Sequence, residues 1–497
     1  MSPLQLCSVV FALLAFFIWL RGIRRSSKGP TIWPIVGYLP SLIFHLDHLH
    51  DWFNDLLALN GGTVRLHGPW NGKILTADPA NIEYVLRTRY HNFGKGDSFK
   101  ETFRDVFGDS HLVEDGERFA EVNKVVGMAL ASATFRDAAA VAIPAAVHAK
   151  LLPLLRRACE KRATIDLQDV FLRLAFDIVC LVGFGIDPGS FGSDLHLPRV
   201  PYLEAYEDAV EATMIRMFTP AFCWKTVRHF DLTWERRLRR GQKIMEQYVD
   251  DNLACRPLHV DTFSSLIKPL FLRVGWEYSE NALRPLVGGL LLAGKDTICA
   301  ALTFFFWAVA QNPRVEANIL AELQGIVTNR PDVELHNICD PSPFFLEEVK
   351  RMHYLHAALR ESLRLYPPVP MESMEAVEDD VLPDGTAVRK GWQVLYSIYA
   401  SGRAEKVWGE DCREFRPERW LKDGKFVKES DFKNPVFNAG PRSCVGREFA
   451  FCQMKWVVAS VVVRYRVNVV DKHPVVSKFS PSLYMKNGLV VTIHRRE

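Results

Sequence analysis

The chain has no CxxC pair, no long run of like charge, no low-complexity tract and no internal repeat. The first absence removes the usual ligand spacing of zinc and iron–sulfur sites. Ten cysteines are scattered from Cys7 to Cys452 along 497 residues. Such spacing is not a disulfide framework; it reads as free thiols in a reducing compartment. Nine of them read as small buried hydrophobes, and Cys444 stands apart. Charge asymmetry is also missing: 61 basic against 58 acidic residues leave a net +3, which argues against a nucleic-acid partner. Disorder is excluded by a composition of 48% hydrophobic and 24% charged residues, enough for a large core.

Long apolar runs are few, and two matter. "LQLCSVVFALLAFFIWL", Leu4 to Leu20, would span ~25 Å as a helix, close to the thickness of a thin bilayer. Arg21, Arg24, Arg25 and Lys28 follow in place of a small-residue cleavage site, and they hold the rest of the chain in the cytosol. The competing reading is a cleaved secretory signal. A proline-rich stretch with Pro30, Pro34 and Pro40 makes a stiff connector. The expected layout is an anchor at 1–20, a basic, proline-rich hinge at 21–40, and one body at 41–497.

The second run lies in a helix expected over about Glu280 to Gln311. Lys295 and Asp296 stand near its middle, and each would cost about 2.5–3.5 kcal/mol at a bilayer centre. A helix threaded through the core of a large domain fits better than a second membrane span. Elsewhere the body reads as mainly α with small β-sheets. "GTVRLHGPW" and "KILTAD" read as early strands. Asp78 and Pro79 open a helix. "YLEAYEDAVEATMIRMF" and "ERRLRRGQKIMEQYVDDNLA" are amphipathic helices. "VLPDGTAVRKGWQVLYSIYA" reads as a hairpin turning at Pro383, Asp384 and Gly385.

"FNAGPRSCVG", Phe437 to Gly446, has few bland explanations. Gly440 and Gly446 allow tight turns around the Cys444 sulfur, with amides pointed at it. Pro441 stiffens the loop and Arg442 brings positive charge. "REFAFCQMKWVVASVVVRY" reads as a helix, which places Cys444 just before an N-terminus that favours an anion. These features promote a thiolate, the metal-binding form of cysteine.

Phe437, Gly440, Arg442, Cys444 and Gly446 match F-x-x-G-x-R-x-C-x-G, and on that motif the chain resembles the cytochromes P-450. The resemblance implies the P-450 fold, with Cys444 as axial ligand to the iron of haem b. Phe437 would pack against the haem, and Arg442 would pair with a propionate. "ESLR" supplies Glu361 and Arg364, and "FRPERW" supplies Arg419; the resemblance joins them as a buried structural triad. "AGKDT", Ala293 to Thr297, matches the oxygen-activation motif, with Thr297 and Asp296 as the proton-delivering pair and Ala293 and Gly294 leaving room for O2. Ile298 stands where many relatives carry a second hydroxyl.

Segments such as "TADPANIEYVLRTRYHNFGKG" and "EAVEDDVLPDGT" resemble the plant fatty-acid ω-hydroxylases that make cutin and suberin monomers, those acting on very long chains above all. Their likeness implies NADPH- and O2-dependent hydroxylation of a fatty acid at its terminal carbon, on the cytosolic face of the endoplasmic reticulum. Nothing in the sequence resembles a flavin or NADPH domain, so a separate NADPH-cytochrome reductase is expected to supply electrons. Two departures stand out. Phe119 and Asn123 replace a tryptophan and an arginine expected to contact the propionates, leaving Lys124, and Met374 replaces a basic residue. An alkane or a specialised ring metabolite is the alternative substrate. A membrane-anchored haem binder with weak turnover is the alternative function.

Overall fold

The computed structural model of the chain describes residues 29–68, 72–108, 110–254, 262–273, 280–330 and 341–496. The expected anchor and the basic residues after it, Arg21 to Lys28, lie outside the described residues. Two described helices, Ala133–Glu160 and Leu283–Ala310, are long and apolar enough to cross a membrane by length and composition. The second has 78% of its apolar stretch buried inside the protein, so its apolar length is explained by the core.

That core is mostly helical. The long helix Glu280–Ala310 packs along Leu167–Phe184. Asp166 caps the latter by accepting from the Gln168 amide, and Gly185 closes it in the left-handed conformation, as a helix end requires. Gly294 fixes how close the two helices come: a Cβ there would lie 2.6 Å from Val179. The expectation that Gly294 leaves room for O2 is therefore corrected. Its missing side chain makes room for the neighbouring helix, whereas Ala293 faces the interior cavity. Ile298 is buried in the same apolar cluster, where a hydroxyl would have less to contribute than a methyl group.

A five-stranded sheet flanks this core. Its order is Thr63–His67, Gly72–Thr76, Gln393–Ser397, Met371–Ala376, Phe93–Gly94. Lys73 sits opposite Gln393 in the parallel pair, and Met374 opposite Val394 in the antiparallel one. Met374 is buried among Ile74, Phe93 and Val394, so an apolar residue suits that place. The hairpin expected around Pro383–Gly385 is shorter than the sequence suggested. Only Asp380–Val381 and Ala387–Val388 pair there, while Gln393–Ser397 leaves to join the main sheet. Gly385 takes φ +83° at the turn, which suits glycine.

Of three helices, Pro201–Arg216 and Ala221–His229 lie over one side of the cavity described below, and Thr233–Ala254 packs against the first of them. The first and third touch at Gly241, where a Cβ would meet the Ala205 carbonyl at 2.5 Å.

Candidate active site

The cysteine loop is closed by its own backbone. The Cys444 amide donates to Phe437 O at 2.7 Å and the Ser443 amide to Gly440 O at 3.1 Å. Gly440 is required twice over, by φ +61° and by the Leu86 carbonyl, 2.3 Å from where a Cβ would sit. Gly446 has an ordinary φ of −87°; its contribution is the amide that donates to the sulfur. The helix Arg447–Val462 then begins, so the sulfur precedes a helix N-terminus. The charge beside the sulfur is Arg447, not Arg442. Burial pushes the thiol above its ordinary range, with the Gly446 amide and Arg447 acting against that. Cys444 is nonetheless exposed, so its side chain is accessible. Phe437 is half-buried, 5.2 Å from Phe451 between ring centroids.

Arg442 turns away to another cluster. It pairs with Asp115, donates to Glu114 O at 3.2 Å, and lies 4.3 Å over the Phe119 ring. Asp115 also accepts from the Lys95 amide at 2.7 Å and pairs with Lys100 at 3.2 Å. Burial would raise the Asp115 pKa, but those donors hold it below the usual carboxylate range. Around Arg442 three buried polar atoms have no partner among the described residues: its own Nε, Tyr90 Oη and His111 Nδ1. Burial first, and Arg442 second, push the His111 pKa down to about 4, so the ring is neutral at ordinary pH. Buried unpartnered polar atoms are uncommon, and a bound anionic group would satisfy these. Two donors and a histidine around one guanidinium suit the carboxylates of a haem, and an accessible cysteine in a donor-lined loop suits its iron. The residues present fit that group. No cluster of three or more His, Cys, Asp or Glu that could hold a metal ion occurs among the described residues.

Sequence reasoning missed Tyr90, His111 and Lys95. The structure does not bring Lys124 to this cluster: it is exposed on the helix Gly116–Ala131, and Asn123 is half-buried beside it. Lys95 lines the cavity instead, paired with Glu372 and 4.7 Å from the Phe99 ring.

On the core helix, Asp296 is the centre of a buried polar knot. It accepts from Lys295 Nζ at 2.5 Å, Tyr206 Oη at 2.5 Å and Tyr484 Oη at 2.8 Å. Lys295 Nζ also lies 3.2 Å from the Tyr206 ring centroid. Burial lowers the Lys295 pKa, against the pull of Asp296. Burial and the Asp296 charge raise both tyrosines well above their ordinary range, so they remain donors. Thr297 Oγ1 donates to Ala293 O at 2.6 Å. Its lone pairs remain free to accept a hydrogen bond.

Glu361, Arg364 and Arg419 do come together. Arg364 grips Glu361 through two bonds, at 2.7 and 2.8 Å, and Arg419 Nε reaches it at 3.3 Å. Trp420 Nε1 at 2.8 Å and the Arg416 amide at 3.0 Å complete the set. Arg364 also donates to the carbonyls of Gly402, Cys412 and Glu414. A bidentate, charge-assisted pair with every remaining donor used is the arrangement a buried ion pair needs.

A cavity of about 550 Å³ reaches from the core helix at Asp296 and Thr297 to Arg442, within the usual range of ligand sites. Ala293, Thr297, Phe119, Asn438 and Arg442 line it, and so do residues of the roof helices and of the strands around Lys73 and Gln393.

A family model described as Cytochrome P450 matches residues 27–493. Among curated relatives, Cytochrome P450 86B1 of Arabidopsis thaliana is 40% identical across 100% of this chain and 91% of its own. Cytochrome P450 94A2 of Vicia sativa is 35% identical, across 94% of this chain and 91% of its own. Noroxomaritidine synthase 1 of Narcissus pseudonarcissus is 35% identical, across 98% and 96%.

Proposed function

The chain belongs to the cytochrome P450 family, haem-iron monooxygenases that draw electrons from NADPH through a reductase, and from that premise we propose that it hydroxylates a long-chain fatty acid at the terminal carbon. In this reading Cys444 is the iron ligand, Phe437, Gly440 and Gly446 shape its loop, and Arg442 holds a propionate. Thr297 and Asp296 handle the protons. When bound, the haem supplies the activation of O2.

The chain's own residues do the rest. The Gly446 amide and Arg447 stabilise charge on the Cys444 sulfur. Thr297 Oγ1 faces the cavity with free lone pairs, one residue from a carboxylate that three donors hold still. General acid–base help of this kind contributes about 10²–10⁴-fold. The roof, through Met214, Phe218 and Trp224, keeps water from the reacting end.

The observation that carries the substrate reading is the lining of the cavity. Leu39, Leu42, Phe53, Phe99, Phe103 and Leu292 make an apolar space beside Ala293 and Thr297, and each CH2 buried there contributes about 0.8 kcal/mol. An endoplasmic-reticulum bilayer as the source of substrate is supported by exposed apolar side chains on two segments. Ile35 and Phe44 near the hinge are 83% and 77% exposed, and Phe222 and Phe230 on the roof are 70% and 64% exposed. Leu39, Leu42, Pro220 and Ala221 beside them line the cavity. The physiological partner in this reading is an NADPH-cytochrome reductase of the same membrane.

Reconstitution with such a reductase, fed a series of saturated fatty acids of increasing length, tests the proposal. Terminal hydroxy acids are the expected products, with affinity rising until the cavity is filled. In-chain products, or no response to length, would overturn it. A specialised ring metabolite is the second reading, favoured by the similarity to noroxomaritidine synthase 1. Pro370, Met371 and Ser373, just after the helix that carries Glu361, line the cavity. Turnover of an alkaloid in the same assay would favour that reading.

A further inference from the structure

We infer that Lys73 anchors the carboxylate of the acyl substrate, an inference that rests on the fatty-acid reading above. Four cations line the cavity among the described residues: Lys73, Lys95, Arg216 and Arg442. Three are committed. Lys95 pairs with Glu372, and Arg442 with Asp115. Arg216 pairs with Glu235 at 2.5 Å and Asp105 at 2.8 Å. Lys73 has no acidic partner among the described residues.

Its setting makes that unusual. Lys73 stands on the strand Gly72–Thr76, opposite Leu66 on one side and Gln393 on the other. The next residues on its strand, Ile74 and Leu75, are fully buried. The chain encloses Lys73 so that burial alone lowers its pKa, with no carboxylate acting against it. The side chain keeps partial access and borders the cavity. A cation removed from water without a counter-charge is costly. An entering carboxylate would offset that cost with a charge-assisted hydrogen bond.

The same cavity is otherwise largely apolar around this point, with Tyr38, Leu42, Phe53 and Leu66 in its wall. One cation without an acidic partner, beside apolar side chains, is matched by an amphiphile with one anionic end. An alkane, a primary alcohol or a methyl ester has the chain without the charge. Position gives the second consequence. Lys73 belongs to the sheet and Thr297 to the core helix. A chain tethered by its carboxylate at the sheet leaves its other end, the terminal carbon, to reach the reacting side.

The test uses the holoenzyme and Soret-shift titration, a binding readout separate from turnover. The ligands are a saturated fatty acid and the primary alcohol and methyl ester of the same length. Wild type is expected to prefer the acid by roughly 10–100-fold, the range for a hydrogen bond to a charged group. Lys73→Met should erase that preference while leaving alcohol and ester affinities unchanged, and Lys73→Arg should keep most of it. In turnover, Lys73→Met should spread hydroxylation away from the terminal carbon. If wild type prefers the acid and Lys73→Met prefers it equally, the anchor is refuted while the fatty-acid reading stands. If wild type binds the acid no better than the alcohol, both fail. Should Lys73→Met not fold, Lys73→Gln carries the same comparison, and the wild-type preference stands independently of either variant.

Discussion

Glu361→Ala is expected to yield little or no haem-containing protein. Five donors converge on the two oxygens of this carboxylate, from Arg364, Arg419, Trp420 and the Arg416 amide. Arg364 has no exposed side-chain surface and Arg419 only 13%. Removing the acid leaves the fully buried Arg364 without a counter-charge and Arg419 with Asp411 alone. Breaking a buried pair in this way costs about 3–5 kcal/mol, a large share of the roughly 5–15 kcal/mol that stabilises a domain. The damage would spread, because Arg364 also ties the carbonyls of Gly402, Cys412 and Glu414. Gly402 is already so close to Arg364 O that a Cβ would stand 1.9 Å away. Soluble yield, haem-to-protein ratio and melting midpoint measure the effect. Arg364→Lys should fall short of wild type as well, since an ammonium cannot reproduce the two-point grip. A Glu361→Ala protein with full haem and an unshifted midpoint would contradict this account of the buried triad.

Thr297→Ala is expected to separate electron use from product. The hydroxyl donates only to Ala293 O on its own helix, so the fold and the haem content should survive. NADPH consumption should continue, hydrogen peroxide should be released, and hydroxylated product should fall, by as much as the ~10²–10⁴-fold that general acid–base help supplies. Asp296→Asn should act in the same direction with an added cost in stability, because it removes the counter-charge of the fully buried Lys295. Product per NADPH, peroxide yield and melting midpoint tell the two effects apart. Unchanged coupling in both variants would remove the proton role from this pair.

Local signals in the sequence carried much of the fold and part of the site. Asp78 was legible as a cap because its role is settled within three residues, and its side chain accepts from the Ala80 and Asn81 amides. The core helix was legible because its apolar run is long, and it ends at Ala310, within one residue of the expected Gln311. The cysteine loop was legible as a motif, and Glu361 with Arg364 as an i,i+3 pair.

Other parts were not legible, because their partners are distant in sequence. Tyr206 and Tyr484 reach Asp296 across separations of 90 and 188 residues. Neither has a local pattern that marks it. Tyr90, His111 and Lys95 meet Arg442 and Asp115 only after the chain folds. Gly294 misled for a related reason: its neighbour, Val179, belongs to another helix. The strand Gln393–Ser397 was misjudged because the parallel partner that draws it from the hairpin lies at Lys73–Thr76. Lys73 lies in the strand segment "KILTAD", and nothing local to it marks the cavity it borders.

The central claim is that the donor-lined loop around Cys444 and the unpartnered polar atoms around Arg442 form one haem-thiolate site. The reduced protein with carbon monoxide tests it most directly. Wild type should show the red-shifted Soret band of a thiolate-bound haem, and Cys444→Ala should lose that band even where some haem remains. A full red-shifted band in Cys444→Ala, or none in a correctly folded wild type loaded with haem, would contradict the account.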